Sequence, residues 1–95
     1  MNPKSYRLRE SKVEGAVVKH AESTGWLSFK WKSANSRGVP DRLFFKDSTL
    51  LIVEFKSPGE KPSAQQKLIH GALRFAGFEV YIIDNIKTGR DLLDA

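Results

Sequence analysis

Apolar residues recur along this chain with two different periods, and the switches between them outline its elements. Val13, Val17 and Ala21, with Ala16 and Val18 beside them, stand at helical spacing and predict a helix over 9–23. Ser11-Lys-Val-Glu14 has the Ser-x-x-Glu form of a capping box, and Gly25 supplies a stop. Residues 1–10 are polar and are expected to be loosely attached. From 26 to 31 the period becomes two: Leu27, Phe29 and Trp31 alternate with Ser28 and Lys30, as in a half-buried strand.

A polar loop over 32–40 leads to two further strands, 43–45 and 50–55, joined by a hairpin at 46–49. Pro58, Gly59 and Pro62 then break the chain. Ser63-Ala-Gln-Gln66 caps a second helix whose apolar face is Ile69, Ala72, Leu73 and Ala76, ended by Gly77. Residues 78–83 read as a fourth strand and 88–93 as a terminal helical turn. The order is αβββαβ, an α/β (α+β) fold. An antiparallel hairpin followed by a helical crossover implies a mixed sheet flanked by helices.

Length and composition narrow the picture. Ninety-five residues fit one domain over 1–95. A chain this small buries only roughly 60–65% of its unfolded surface, a thin margin that self-association commonly widens. Cysteine is absent and only His20 and His70 could offer imidazole. Disulfides and thiolate sites are excluded, and any metal is expected to be hard and oxygen-bound, Mg²⁺ or Mn²⁺. No apolar run approaches the ~20 residues of a membrane span, and the start lacks the apolar stretch of a signal peptide, so a cytoplasmic protein is expected. Of the sixteen Lys and Arg, ten fall in residues 1–46 against four acidic residues, a balance suited to a polyanion.

Strand side chains alternate faces, so Glu54 and Lys56 point one way and Phe55 the other. A hairpin turning near 47–49 brings Asp41 level with them. Two carboxylates and a lysine at one sheet end suit phosphodiester hydrolysis. Asp41 and Glu54 would hold a divalent cation, with the Phe55 backbone carbonyl as a further oxygen ligand. Lys56 would orient water or neutralise the transition state. The competing reading is a solvated Glu-x-Lys pair worth ~0–1 kcal/mol. Against it, the strand is apolar on both faces, and Gly38-Val-Pro40 gives Asp41 a rigid lead-in. Lys30, Lys32, Arg37 and Arg42 flank the trio and are candidate phosphate contacts, while Trp26 and Trp31 are expected in the core.

Gly38-Val-Pro-Asp41, Glu54-Phe-Lys56 and Gln66 in a Ser-x-x-Gln helix start together resemble the PD-(D/E)XK nuclease superfamily. More narrowly they resemble its virus-type replication-repair nuclease branch, VRR-NUC, in the small stand-alone form of phages and bacteria. The resemblance spans about residues 11–84. It implies a restriction-endonuclease-like core and metal-dependent DNA cleavage, with Asp41 and Glu54 as ligands and Lys56 at the nucleophile. It places Glu14 at the acidic position of the first helix, completing the metal site directly or through water, and Gln66 beside the active site. Stand-alone members look like Holliday-junction resolvases and act as homodimers.

Alternatives stay open at this level. Glu14 and Gln66 each follow a serine by three and could merely cap helices, and Gln65 is the register alternative to Gln66. The chain could be a non-catalytic DNA-binding or assembly protein on a nuclease fold, or a small basic structural protein. It could also be a nuclease for flaps, nicks or duplex rather than four-way junctions. His20 and His70 are expected at the surface. Phe44, Phe75 and Tyr81 are candidate exposed contributors to a dimer surface.

Overall fold

In the computed structural model the backbone is described over residues 3–95 and side chains from Glu10 onward. Its elements are α1 (Pro3–Ser23), β1 (Leu27–Lys30), β2 (Arg42–Lys46), β3 (Thr49–Phe55), α2 (Ala64–Phe75), β4 (Val80–Ile83) and α3 (Ile86–Asp94). The expected αβββαβ order is present, closed by a two-turn helix where only a turn was expected. Strands run in the order β1-β2-β3-β4. The first three are antiparallel neighbours, and β4 returns parallel to β3 through α2. The sheet is therefore mixed, as a helical crossover requires.

The β2–β3 hairpin turns on Asp47 and Ser48, with φ of 48° and 64°. Left-handed backbone at both central residues is the two-residue turn whose twist matches that of paired strands. Asn85 caps α3 by accepting from the Thr88 amide at 2.8 Å. Helices α1 and α3 cover one face of the sheet. Val13, Val17 and Ala21 meet Phe44, Val53, Phe55, Ile83 and Leu93 there in one buried cluster. Gly89 lets the two helices close up, since a Cβ on it would run into Val17 Cγ2.

Several expectations are corrected. The first helix starts at Pro3 rather than near residue 9, because proline suits a helical first turn and the residues after it are good helix formers. Ser11 and Glu14 thus lie inside α1, so their Ser-x-x-Glu pattern caps nothing. The loose attachment expected of 1–10 falls almost wholly on side chains outside the described residues. In β1 the alternation is real, but Leu27 and Phe29 are 62% and 55% exposed. They lie on the face opposite α1 and α3, which α2 covers only in part. On α2, Ile69 and Leu73 are half-buried while Ala72 and Ala76 are exposed. Phe44 is fully buried and Tyr81 packs against the core, leaving Phe75, 97% exposed, of the three proposed surface aromatics.

Candidate functional site

The pleat of β3 divides its residues by function. Val53 and Phe55 enter the core beneath α1, whereas Ile52, Glu54 and Lys56 face the other way. Glu54 and Lys56 are nonetheless only 1% and 7% exposed, so the solvated-pair reading fails on burial. Arg42 pairs with Val53, and one step further along that register Asp41 falls level with Glu54. Asp41 is fixed twice: its carbonyl accepts from the Trp31 amide at 3.0 Å and its Oδ2 from the Phe55 amide at 2.7 Å.

Gln66 joins the trio from α2. Its Nε2 donates to Glu54 Oε2 at 2.8 Å, while its Oε1 accepts from the Ser63 amide at 2.8 Å. Ser63 Oγ in turn accepts from the Gln66 amide at 3.2 Å. The two readings of this glutamine are therefore both true: the capping box orients the side chain that reaches the site. Gln65 points elsewhere, donating to the Arg37 carbonyl at 3.5 Å. Lys56 Nζ lies 3.5 Å from Glu54 Oε2 and 3.4 Å from Glu60 Oε1.

Glu14, on α1, is close enough to Asp41 to raise its pKa, but it accepts from Arg42 Nε at 2.7 Å, and Arg42 Nη1 also donates to Ser28 Oγ at 3.2 Å. Lys30, Lys32 and Arg37 are exposed around the site, whereas Arg42 is engaged internally. Trp26 is in the core, its Nε1 donating to the Leu93 carbonyl at 3.2 Å, and Trp31 is half-buried. His20 is partly exposed and sits 2.8 Å from Asp94. His70, expected in solvent, is 1% exposed. It stands one helical turn after Gln66 on the face that meets the sheet, where burial, then Arg74 and Lys56, hold its pKa down.

Burial pushes the Glu54 pKa up to about 7, and the neighbouring Asp41 carboxylate adds to the rise against the pull of Lys56. Asp41 is also raised, first by burial, although the Phe55 amide opposes it. Glu54 Oε1 is buried with no hydrogen-bond partner among the described residues. A buried carboxylate left half-satisfied is costly, and a hard cation is the ligand its chemistry fits. Among the described residues no three acidic or histidine side chains already surround one point. Asp41 and Glu54 would hold such an ion with the Phe55 carbonyl, water and substrate oxygens filling the remaining positions.

Two carboxylates escaped the sequence reading. Glu60 pairs with Lys56, and Glu10 has a raised pKa from burial first, then from Glu60 and Asp41. Glu10 falls inside the predicted helix one turn before Glu14, but nothing in the local sequence marks it as a site residue.

A four-stranded mixed sheet with an Asp, a Glu-x-Lys strand and a helix-borne glutamine at one end defines a PD-(D/E)XK-type domain. The fold is shared with a solved structure described as a VRR_NUC domain, at TM-score 0.82 and 25% identity, over 90% of this chain and 95% of that one. The chain is also 35% identical over 79 residues to "Putative nuclease p44" of Acyrthosiphon pisum secondary endosymbiont phage 1, covering 82% of this chain and 85% of that protein. No family model matches the sequence. By this relative and this structure, the chain belongs to the VRR-NUC family.

Proposed function

We propose that this protein is a divalent-metal-dependent, structure-selective DNA endonuclease that works as a homodimer on branched DNA, in the manner of a Holliday-junction resolvase. The observation that carries the reading is the buried Glu54 Oε1, unpartnered among the described residues, beside Asp41, Lys56 and Gln66. Mg²⁺ or Mn²⁺, when bound by Asp41, Glu54 and the Phe55 carbonyl, would lower the pKa of water and offset phosphate charge.

The protein's own groups do the rest. Asp41 is held rigid by two backbone amides, and Gln66 fixes the rotamer of Glu54. Lys56, buried and drawn by two carboxylates, keeps its ammonium at the point where negative charge builds on the phosphate. Glu14 would complete the metal site directly or through water only by loosening its 2.7 Å bond to Arg42, which is the remaining candidate phosphate contact. Lys30, Lys32 and Arg37 hold the backbone of DNA without reading its sequence.

The dimer is supported by apolar surface that the monomer leaves open: Leu27, Phe29, Phe45, Leu50 and Ile82 on the sheet, with Phe75 on α2. Among the described residues no helix is long and apolar enough to cross a membrane.

The test is cleavage of four-way junctions, flaps, nicked and intact duplex with Mg²⁺ or Mn²⁺ and with EDTA. Paired cuts on opposing strands of the junction, abolished by EDTA, are expected. Unchanged cleavage in EDTA rejects the metal requirement, and equal rates on all substrates reject selectivity for branched DNA.

A further inference from the structure

We propose that Gly38 is a positioning residue: it seats the basic loop over 32–40 on the first turn of α2 and so fixes Gln66 against Glu54. The inference rests on the endonuclease reading above. Gly38 has a φ of +85°, and a Cβ built on it would lie 2.8 Å from the Gln65 carbonyl oxygen, 2.9 Å from the carbonyl carbon and 3.0 Å from the Gln66 nitrogen. All three are backbone atoms, so no side chain can swing aside to admit even a methyl group. Beside this contact, Gln65 Nε2 donates to the Arg37 carbonyl at 3.5 Å.

The two arms of the site are not equally well held. Asp41 is tied into the sheet by the Trp31 and Phe55 amides, independently of Gly38. The start of α2 has less to hold it, with Ala64, Gln65, Lys67 and Leu68 all exposed. A displacement forced at position 38 therefore falls on α2, and through it on the 2.8 Å bond from Gln66 to Glu54. By the same route, a phosphate held by Lys32 or Arg37 is referred to the reacting carboxylates through a backbone contact.

The experiment compares Gly38→Ala with Gly59→Ala. Gly59 has a φ of +80° but nothing within 4 Å of a built Cβ, so it reproduces the backbone strain without the collision. Gly38→Ala is expected to lower kcat on junction DNA by about tenfold or more while KM stays within about threefold, since a misplacement near 1 Å costs up to ~100-fold. Gly59→Ala should remain within about twofold of wild type. In a Gln66→Ala background the Gly38→Ala effect should shrink below about threefold, because both changes act on one contact. Equal kcat for the two glycine variants, or effects that multiply in the double variant, overturns the proposal. Absence of cleavage by the wild type overturns the endonuclease reading instead. Should Gly38→Ala fail to fold, hydrogen exchange on the wild type carries the test. Junction DNA in EDTA should slow the amides of 64–67 together with those of 36–38, and protection confined to the loop overturns the proposal.

Discussion

The two faces of β3 have been given to opposite tasks. Toward α1 and α3, Val53 and Phe55 sit in a buried apolar cluster. Toward α2, Glu54 and Lys56 are just as buried, yet one Glu54 oxygen has no hydrogen-bond partner among the described residues, and burial pushes the carboxyl pKa up to about 7. Both faces belong to one strand, so the same backbone that the core makes rigid also holds the reactive groups. A buried polar site of this kind is tolerable because the opposite face supplies the stability.

The largest expected effects separate the faces outright. Phe44→Ala should destabilise the fold by about 3–5 kcal/mol in urea unfolding, because it empties a fully buried site in the core. Asp41→Asn should leave the unfolding midpoint nearly unchanged and lower cleavage by roughly 10²–10³-fold or more, with DNA binding kept within a few-fold. A Phe44→Ala protein as stable as wild type, or an active Asp41→Asn, would erase the division.

A smaller effect links the faces through pH. The folded-state pKa of Glu54 lies above its ordinary value of 4.5, so folding favours the protonated form. This group's contribution is therefore fully present below pH 4.5, falls as pH rises from 4.5 to about 7, and is flat above. Asp41 shifts in the same direction. Thermal melts in EDTA should show part of this decline disappear in Glu54→Gln, which should be the more stable protein above pH 7. A variant that is less stable there would show that the carboxylate serves the fold rather than the site.

Ser63→Ala sharpens the boundary further, since it removes half of the capping box that orients Gln66. A stability loss of about 1 kcal/mol is expected, together with slower cleavage. The smallest effect belongs to the open rim of the polar face. Phe75→Ser should change monomer stability by no more than about 0.5 kcal/mol while weakening self-association in sedimentation, and an unaltered dimer would remove Phe75 from the interface.

Much of this was legible because alternation is a local property. The polar interruption of β3, the hairpin that lifts Asp41 to its level and the α2 crossover each rest on a few consecutive residues. Sidedness was not legible in the same way. The Leu27–Phe29 alternation announces two unlike faces but not which one the helices cover. His70 reads as solvent-facing until α2 turns the side bearing Gln66 toward the sheet. Glu10 and Glu60 reach the site only through the full length of α1 and the fold-back after β3, contacts that no local pattern encodes. Glu14 was placed on the right helix, but its pairing with Arg42 joins residues 28 positions apart.

The most direct measurement is thermal melting of wild type and Glu54→Gln with increasing Mn²⁺ at about pH 8, where Glu54 is ionised and ligand binding to the folded state raises the midpoint. The account predicts a concentration-dependent rise for wild type and none for Glu54→Gln. Equal shifts in both proteins, or none in wild type, would contradict it.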